Sequence, residues 1–189
     1  MKSGGHFYFT MKQMQSDLSS LKKFLDKKVL LFQSPSFISN DPVSIPHMFR
    51  RKQNIEIAGL FAAVFAWGQR KTIISKSREL MQLMDMAPHD FVLHHSEKDL
   101  KKFIEFRHRT FNSTDVLYFI QFLHSVYSKH QSLEEVFLPH NNETNMEGAL
   151  IRFHNLFVSA DDFPARTKKH IPTPARKSSC KRLNMFLRW

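Results

Sequence analysis

Ile55–Lys71 reads IEIAGLFAAVFAWGQRK, and the fold turns on this stretch. From Ile55 to Trp67 only Glu56 breaks the apolar run. The run is longer than an ordinary strand but shorter than the roughly 20 residues needed to cross a bilayer. It therefore predicts a buried core helix from Ile55 to about Ala66, capped by Asn54. Gly59, Ala62, Ala63 and Ala66 are small enough to let neighbouring helices approach, while Leu60, Phe61, Val64 and Phe65 fill the other sides. Trp67–Lys71 (WGQRK) is a polar tip leading into the next helix.

That next helix runs to about Met86, before Pro88, with Ile73, Ser77, Leu80, Leu83 and Met84 set against Lys76, Arg78 and Glu79. Ser96 and Asp99 have the spacing of a capping box, ahead of Leu100, Phe103 and Ile104. Another helix begins at Thr114 or Asp115, with Leu117, Ile120, Phe122 and Leu123 inside. A short helical turn starts at Ser132. After the polar loop His140–Asn145 comes a helix with Met146, Ala149, Leu150, Phe153 and Phe157, closed by Pro164. Towards the N-terminus, Ser16 and Asp17 cap a helix that sets Leu18, Leu21 and Leu25 on one face, and Ser34–Pro46 reads as turns. No segment alternates at period two long enough to read as a strand. The expectation is an all-α fold of about seven helices: a flexible N-terminus over 1–15, then a single helical domain over 16–189.

Composition agrees with that fold. Apolar residues make up 42% of the 189, and 19 phenylalanines supply large buried surface, which excludes wholesale disorder. The single cysteine, Cys180, rules out an internal disulfide framework. No signal-peptide core is visible near the N-terminus. These features predict a cytoplasmic protein with no membrane partner.

Charge is spread unevenly. From Phe163 onward there is no acidic residue, yet Arg166, Lys168, Lys169, Arg176, Lys177, Lys181, Arg182 and Arg188 account for eight of the net +11. One-signed charge in one segment fits a polyanion partner, and a solvated basic tail fits it equally well. Pro172 and Pro174 make the approach non-helical. Ser178 or Ser179 then caps a last helix starting near Cys180, with Leu183, Phe186 and Leu187 facing a core. Lys181 falls in its first turn, where free backbone N–H groups favour phosphate and disfavour further positive charge. A neutral lysine amine there could attack a sugar aldehyde to form a Schiff base, while the plainer reading is a phosphate-contacting or solvated lysine.

The stretches DPVSIPHMF, IEIAGLFAAVFAWGQRKTII, ELMQLMDMAPHDFV, FRHRTFNSTDVLYFI and SCKRLNMFLRW closely resemble a bacterial family catalogued as domain of unknown function 2400. That family in turn resembles the helix-hairpin-helix DNA glycosylases through two local matches. One is an apolar helix ending in a polar tip, here with Gln69, able to fill the gap left by a flipped base. The other is a hairpin leading into a helix with an early lysine, here Lys181. The glycosylase hairpin typically carries glycines, and ARKSSCK has none. The resemblance also implies an aspartate that works with the lysine, at a position beyond Trp189, so this chain is expected to be part of a longer protein.

On this reading Lys181 is the candidate nucleophile. Gln69, Arg70, Lys71, Arg166, Lys168, Lys169, Arg176, Lys177 and Arg182 are the DNA-binding candidates. No metal or other cofactor is called for, and a monomer is expected. His89, His94 and His95 lack the spacing of a metal motif. Cys180 at a helix start could carry a lowered thiol pKa. Arg107, His108 and Arg109 fit either a phosphate contact or a solvated loop. Besides a glycosylase/lyase on damaged duplex DNA, the sequence admits a non-catalytic nucleic-acid-binding module and a helical interaction domain with an acidic partner.

Overall fold

The computed structural model describes the backbone of residues 4–140 and 142–189, and side chains from Ser16 onward. It is all-α: no strand occurs among the described residues, and the one isolated bridge joins His108 to Phe111. No helix among them is long and apolar enough to cross a membrane. The chain forms two compact units, one up to Asn40 and one from Asp41 to Trp189.

The first unit holds α1, Gly4–Phe32, and α2, Pro35–Ile38. The helix expected to start at the Ser16–Asp17 cap begins at Gly4 instead, so Ser16 and Asp17 are interior. A cap-type residue starts a helix only where the backbone before it leaves helical geometry. Side chains of the stretch expected to be flexible, 1–15, lie outside the described residues. Leu18, Leu21 and Leu25 are exposed.

In the second unit, α3 (Lys52–Phe65) is the central element, with every residue from Ile57 to Phe65 buried. Around it lie α4 (Arg70–Leu83), α5 (Pro88–His94), the short α6 (Glu97–Leu100) continued by a 3-10 turn, α7 (Ser113–Tyr127), α8 (Glu147–Phe157) and α9 (Lys181–Arg188). The extra helices beyond those expected are short pieces. A left-handed pair, Asp85 and Met86 (both φ 54°), ends α4 and lets Pro88 begin α5.

Several local readings hold. Ser96–Asp99 is a reciprocal capping box on α6, and Ser132 caps the 3-10 turn Leu133–Phe137. Asn112 forms a second capping box with Asp115 at the start of α7, one residue earlier than expected. Asn54 does not cap α3, which begins two residues before it. Its Oδ1 instead accepts from the backbone N–H of His89 at 3.0 Å, tying α3 to the first turn of α5. α8 stops at Phe157, well short of Pro164.

Glu56, the residue that breaks the apolar run, is satisfied by a concentrated set of donors. Its carboxylate accepts from the Tyr127 hydroxyl at 2.9 Å, the Leu133 N–H at 2.9 Å, the Glu134 N–H at 3.3 Å and the Ser132 hydroxyl. Free N–H groups at a helix start suit an anion, so α3 can carry a carboxylate at the edge of its core. Burial, with this carboxylate beside it, pushes the Tyr127 hydroxyl pKa upward.

Candidate functional site

The C-terminal end of α3 is where the basic segments meet the core. A helix ends with four carbonyls that lack intrahelical partners. Here the Val64 carbonyl accepts from Arg182 Nη1 at 2.6 Å and the Phe65 carbonyl from the His108 Nε2–H at 3.2 Å. The Ala63 carbonyl takes the Ala66 N–H at 3.1 Å. Residues from α9 and from the turn before α7 thus close a helix end 43 to 118 residues away in sequence. The negative end of the helix dipole explains how Arg182 can turn inward without a carboxylate. Burial draws its pKa below the ordinary value.

The tip beyond this end is held by the same turn. Gly68 sits at φ 106°, in the left-handed region open mainly to glycine. The Arg109 guanidinium lies over the Trp67 ring, 4.4 Å from its centroid, and a Cβ on Gly68 would fall inside that guanidinium. Arg109 itself is left-handed at φ 56°, in a turn closed by paired His108 and Phe111 backbone bonds of 2.8 and 2.9 Å. Gln69, exposed, is the residue just before α4, and its carbonyl accepts the Ile73 N–H. Arg70 Nε lies 3.7 Å from Asp41 Oδ2, and Lys71 is exposed.

The other basic candidates gather on the approach to α9. Arg166, Lys168, Lys169 and Arg176 line one cleft of about 500 Å³, with His154, Thr173 and Ser178 among its walls. Arg166 is also a tether: its Nη2 donates to the Thr110 carbonyl at 3.0 Å and lies 3.4 Å from Asp115 Oδ2. Asp115 is fully buried. Burial alone would raise its pKa, but His170, Thr167 and the Asn112 N–H together hold it below the usual value. His170 Nε2 is 3.4 Å away, close enough for charge attraction although not aligned as a hydrogen bond.

The hairpin before α9 lacks glycine, yet Lys177 (φ 59°) and Cys180 (φ 48°) both adopt the left-handed conformation that glycine would favour. Such positions cost on the order of 1–2 kcal/mol each for ordinary residues. The N-cap of α9 is Cys180, not Ser178 or Ser179. Its thiol is buried, and burial pushes its pKa up rather than down, against the reactive thiol the helix start suggested. Lys181 is the first residue of α9 and is exposed. No ion pair or hydrogen bond engages its amine among the described residues.

The three clustered histidines separate. His94 Nδ1 lies 3.0 Å from Asp90 Oδ1, His95 Nδ1 donates to the Phe91 carbonyl at 2.9 Å, and His89 is buried edge-on to Tyr127. Burial holds the pKa of both His89 and His108 below 6.5. A histidine lowered in the folded state stabilises fully above its unfolded value, and that contribution shrinks as pH falls below it, because the unfolded chain takes up the proton first. Unfolding free energy is therefore expected to fall from pH 7 towards pH 5, with a slope of at most about 1.4 kcal/mol per pH unit per histidine. Urea titrations across that range check this, and His108→Asn should flatten part of the slope.

The pairing of Arg109 with Trp67 and the burial of Asp115 had no individual signal in the sequence. A family model described as "Protein of unknown function (DUF2400)" matches residues 41–189, starting at the residue where the second compact unit starts. No curated protein and no solved structure matches the chain.

Proposed function

The chain belongs to the family described as DUF2400, and we propose that its residues 41–189 bind duplex DNA and act as a base-excision glycosylase/lyase of the helix-hairpin-helix kind. The observation that carries this reading is the basic cleft of Arg166, Lys168, Lys169 and Arg176 on the approach to an exposed lysine at a helix start. Cations in a cleft with no acid in its wall suit consecutive phosphates. Arg182 anchors the lysine's helix to the end of α3, from which the tip carrying Gln69 projects. Gln69 would fill the space of an extruded base, and Arg70, Lys71 and Lys177 would meet the backbone on either side.

In the reaction the neutral Lys181 amine attacks C1′ of an abasic sugar in its aldehyde form. The nitrogen lone pair forms the C–N bond and the carbonyl electrons move to oxygen; nitrogen sheds one proton to solvent and oxygen takes one, giving a neutral carbinolamine. The hydroxyl then takes a second proton from solvent and leaves as water, and the nitrogen lone pair closes the iminium. On a damaged nucleotide the same attack breaks the glycosidic bond, whose electrons leave with the base as it takes a proton from solvent.

Borohydride trapping on duplex DNA carrying an oxidised purine or an abasic site tests this, beside Lys181→Gln. The expected result is a covalent adduct on the oxidised purine that falls at least a hundredfold in the variant, with an unchanged melting temperature because Lys181 is exposed. An adduct that persists in Lys181→Gln overturns the assignment of the nucleophile. Absence of any adduct, with salt-sensitive binding intact, leaves a non-catalytic binding module. The observation that favours this second reading is that the Lys181 amine has no hydrogen-bond or ion-pair partner among the described residues.

A further inference from the structure

Arg109 is the cation of this corner that lies over an aromatic ring. Its guanidinium carbon sits over the Trp67 ring, 4.4 Å from the ring centroid. The residue is exposed, and no acid pairs with it among the described residues, so its charge is open to a ligand. Three features hold it there against its own cost. Its backbone is left-handed in a turn closed on both sides by the His108–Phe111 pair. The buried His108 fastens that turn to the end of α3 through the Phe65 carbonyl. Gly68 has no side chain and leaves room for the guanidinium, so any other residue there would push it off the indole. A solvated arginine needs none of this. The arrangement is a cation fastened from three sides, one residue removed from the exposed Gln69 on the tip side.

We infer that Arg109, stacked on Trp67, is a stacking platform for an unpaired nucleobase, and that the preferred ligand is duplex DNA in which one base has lost its partner. This rests on the DNA-binding reading above and narrows its substrate class. A planar guanidinium offers a π-face to any base, and a positive charge adds attraction for the ring and the neighbouring phosphate. A fully paired duplex has no free base face to offer, so discrimination would come from stacking rather than from base-edge hydrogen bonds.

The test measures binding of the full chain to a fluorescein-labelled duplex with a single-nucleotide gap and to the same duplex fully paired. Wild type is compared with Arg109→Ala, Arg109→Lys and Gly68→Ala. In parallel, Trp67 fluorescence is followed in a Trp189→Phe background, which leaves one tryptophan of the two. Wild type is expected to prefer the gapped duplex and to show quenched Trp67 on binding it. Arg109→Ala and Arg109→Lys should both lose about tenfold on the gapped duplex and less than twofold on the paired one. Gly68→Ala, which keeps the charge but displaces the guanidinium, should resemble them. If Arg109→Lys binds like wild type while Arg109→Ala does not, charge alone acts and the platform is overturned. If all three variants bind the gapped duplex like wild type and Trp67 is silent, the platform is overturned while DNA binding stands. If neither duplex binds wild type, the DNA reading fails and the platform fails with it.

Discussion

Asp115→Ala is expected to lower the unfolding free energy by about 3–5 kcal/mol, measured by urea denaturation at pH 7. The carboxylate is fully buried and has two oxygens with separate tasks. Oδ2 accepts the Asn112 N–H at 3.0 Å, which closes the capping box of α7. Oδ1 accepts the Thr167 hydroxyl at 2.7 Å, across 52 residues of sequence. Arg166 and His170 each come within 3.4 Å of Oδ2. Alanine leaves a buried hydroxyl without its acceptor, removes one half of a helix cap and leaves Arg166 without its buried carboxylate. Asp115→Asn keeps the shape and one acceptor, so it should cost less. Because the folded-state pKa is depressed, the contribution of Asp115 is present above the unfolded value and fades as pH falls through the folded one. The wild-type advantage over Asp115→Asn should therefore shrink in acid. Loosening the 3-10 turn Ala165–His170 would also release Arg166, Lys168 and Lys169 from their cleft, so on the proposed function weaker DNA binding should accompany the loss of stability.

Phe119→Ala should cost a similar amount, about 3–5 kcal/mol, by a different mechanism. Phe119 is fully buried in the middle of α7, with its ring centroid 5.5 Å from Phe61, 5.4 Å from Phe111 and 4.9 Å from Phe157. These rings come from α3, the turn before α7 and α8, so one truncation opens a cavity bordered by three separate segments that cannot all collapse into it. The tilted ring contacts add to the area lost. Phe119→Leu, which keeps most of the volume, should cost less than half as much. His170 borders both Phe119 and Asp115, so the double variant should depart from additivity. Thermal and urea unfolding of the two single variants and the double variant would measure the coupling.

These two residues also mark where sequence reading stopped. Of Leu117, Ile120, Phe122 and Leu123, legible as the inward face of α7 from helical spacing, the last three are buried and Leu117 is half-buried. Phe119 lies between them and is just as buried, because α7 packs on more than one side. Asp115 was legible only as a helix starter. Its second role, as the buried acceptor for Thr167, depends on a turn that arrives 52 residues later.

For the candidate site, the sequence alone determined that one segment is basic and free of acid, that a helix begins at its end with a lysine in its first turn, and that a polar tip follows an apolar helix. Those are consequences of local order: charge along the chain, helical period and the chemistry of turns. What only the tertiary structure decided is which of the cations remain free. Arg182 and Arg166 look alike in sequence to Arg176, yet the first is committed to the open end of α3 and the second is held by Thr110 and Asp115. Arg109, which sequence left between a phosphate contact and a solvated loop, is lifted onto Trp67. The reason is that a helix end leaves carbonyls, and a buried carboxylate leaves lone pairs, that must be satisfied by whatever donors the fold brings near. Periodicity cannot show where those donors come from, because they are brought there by packing.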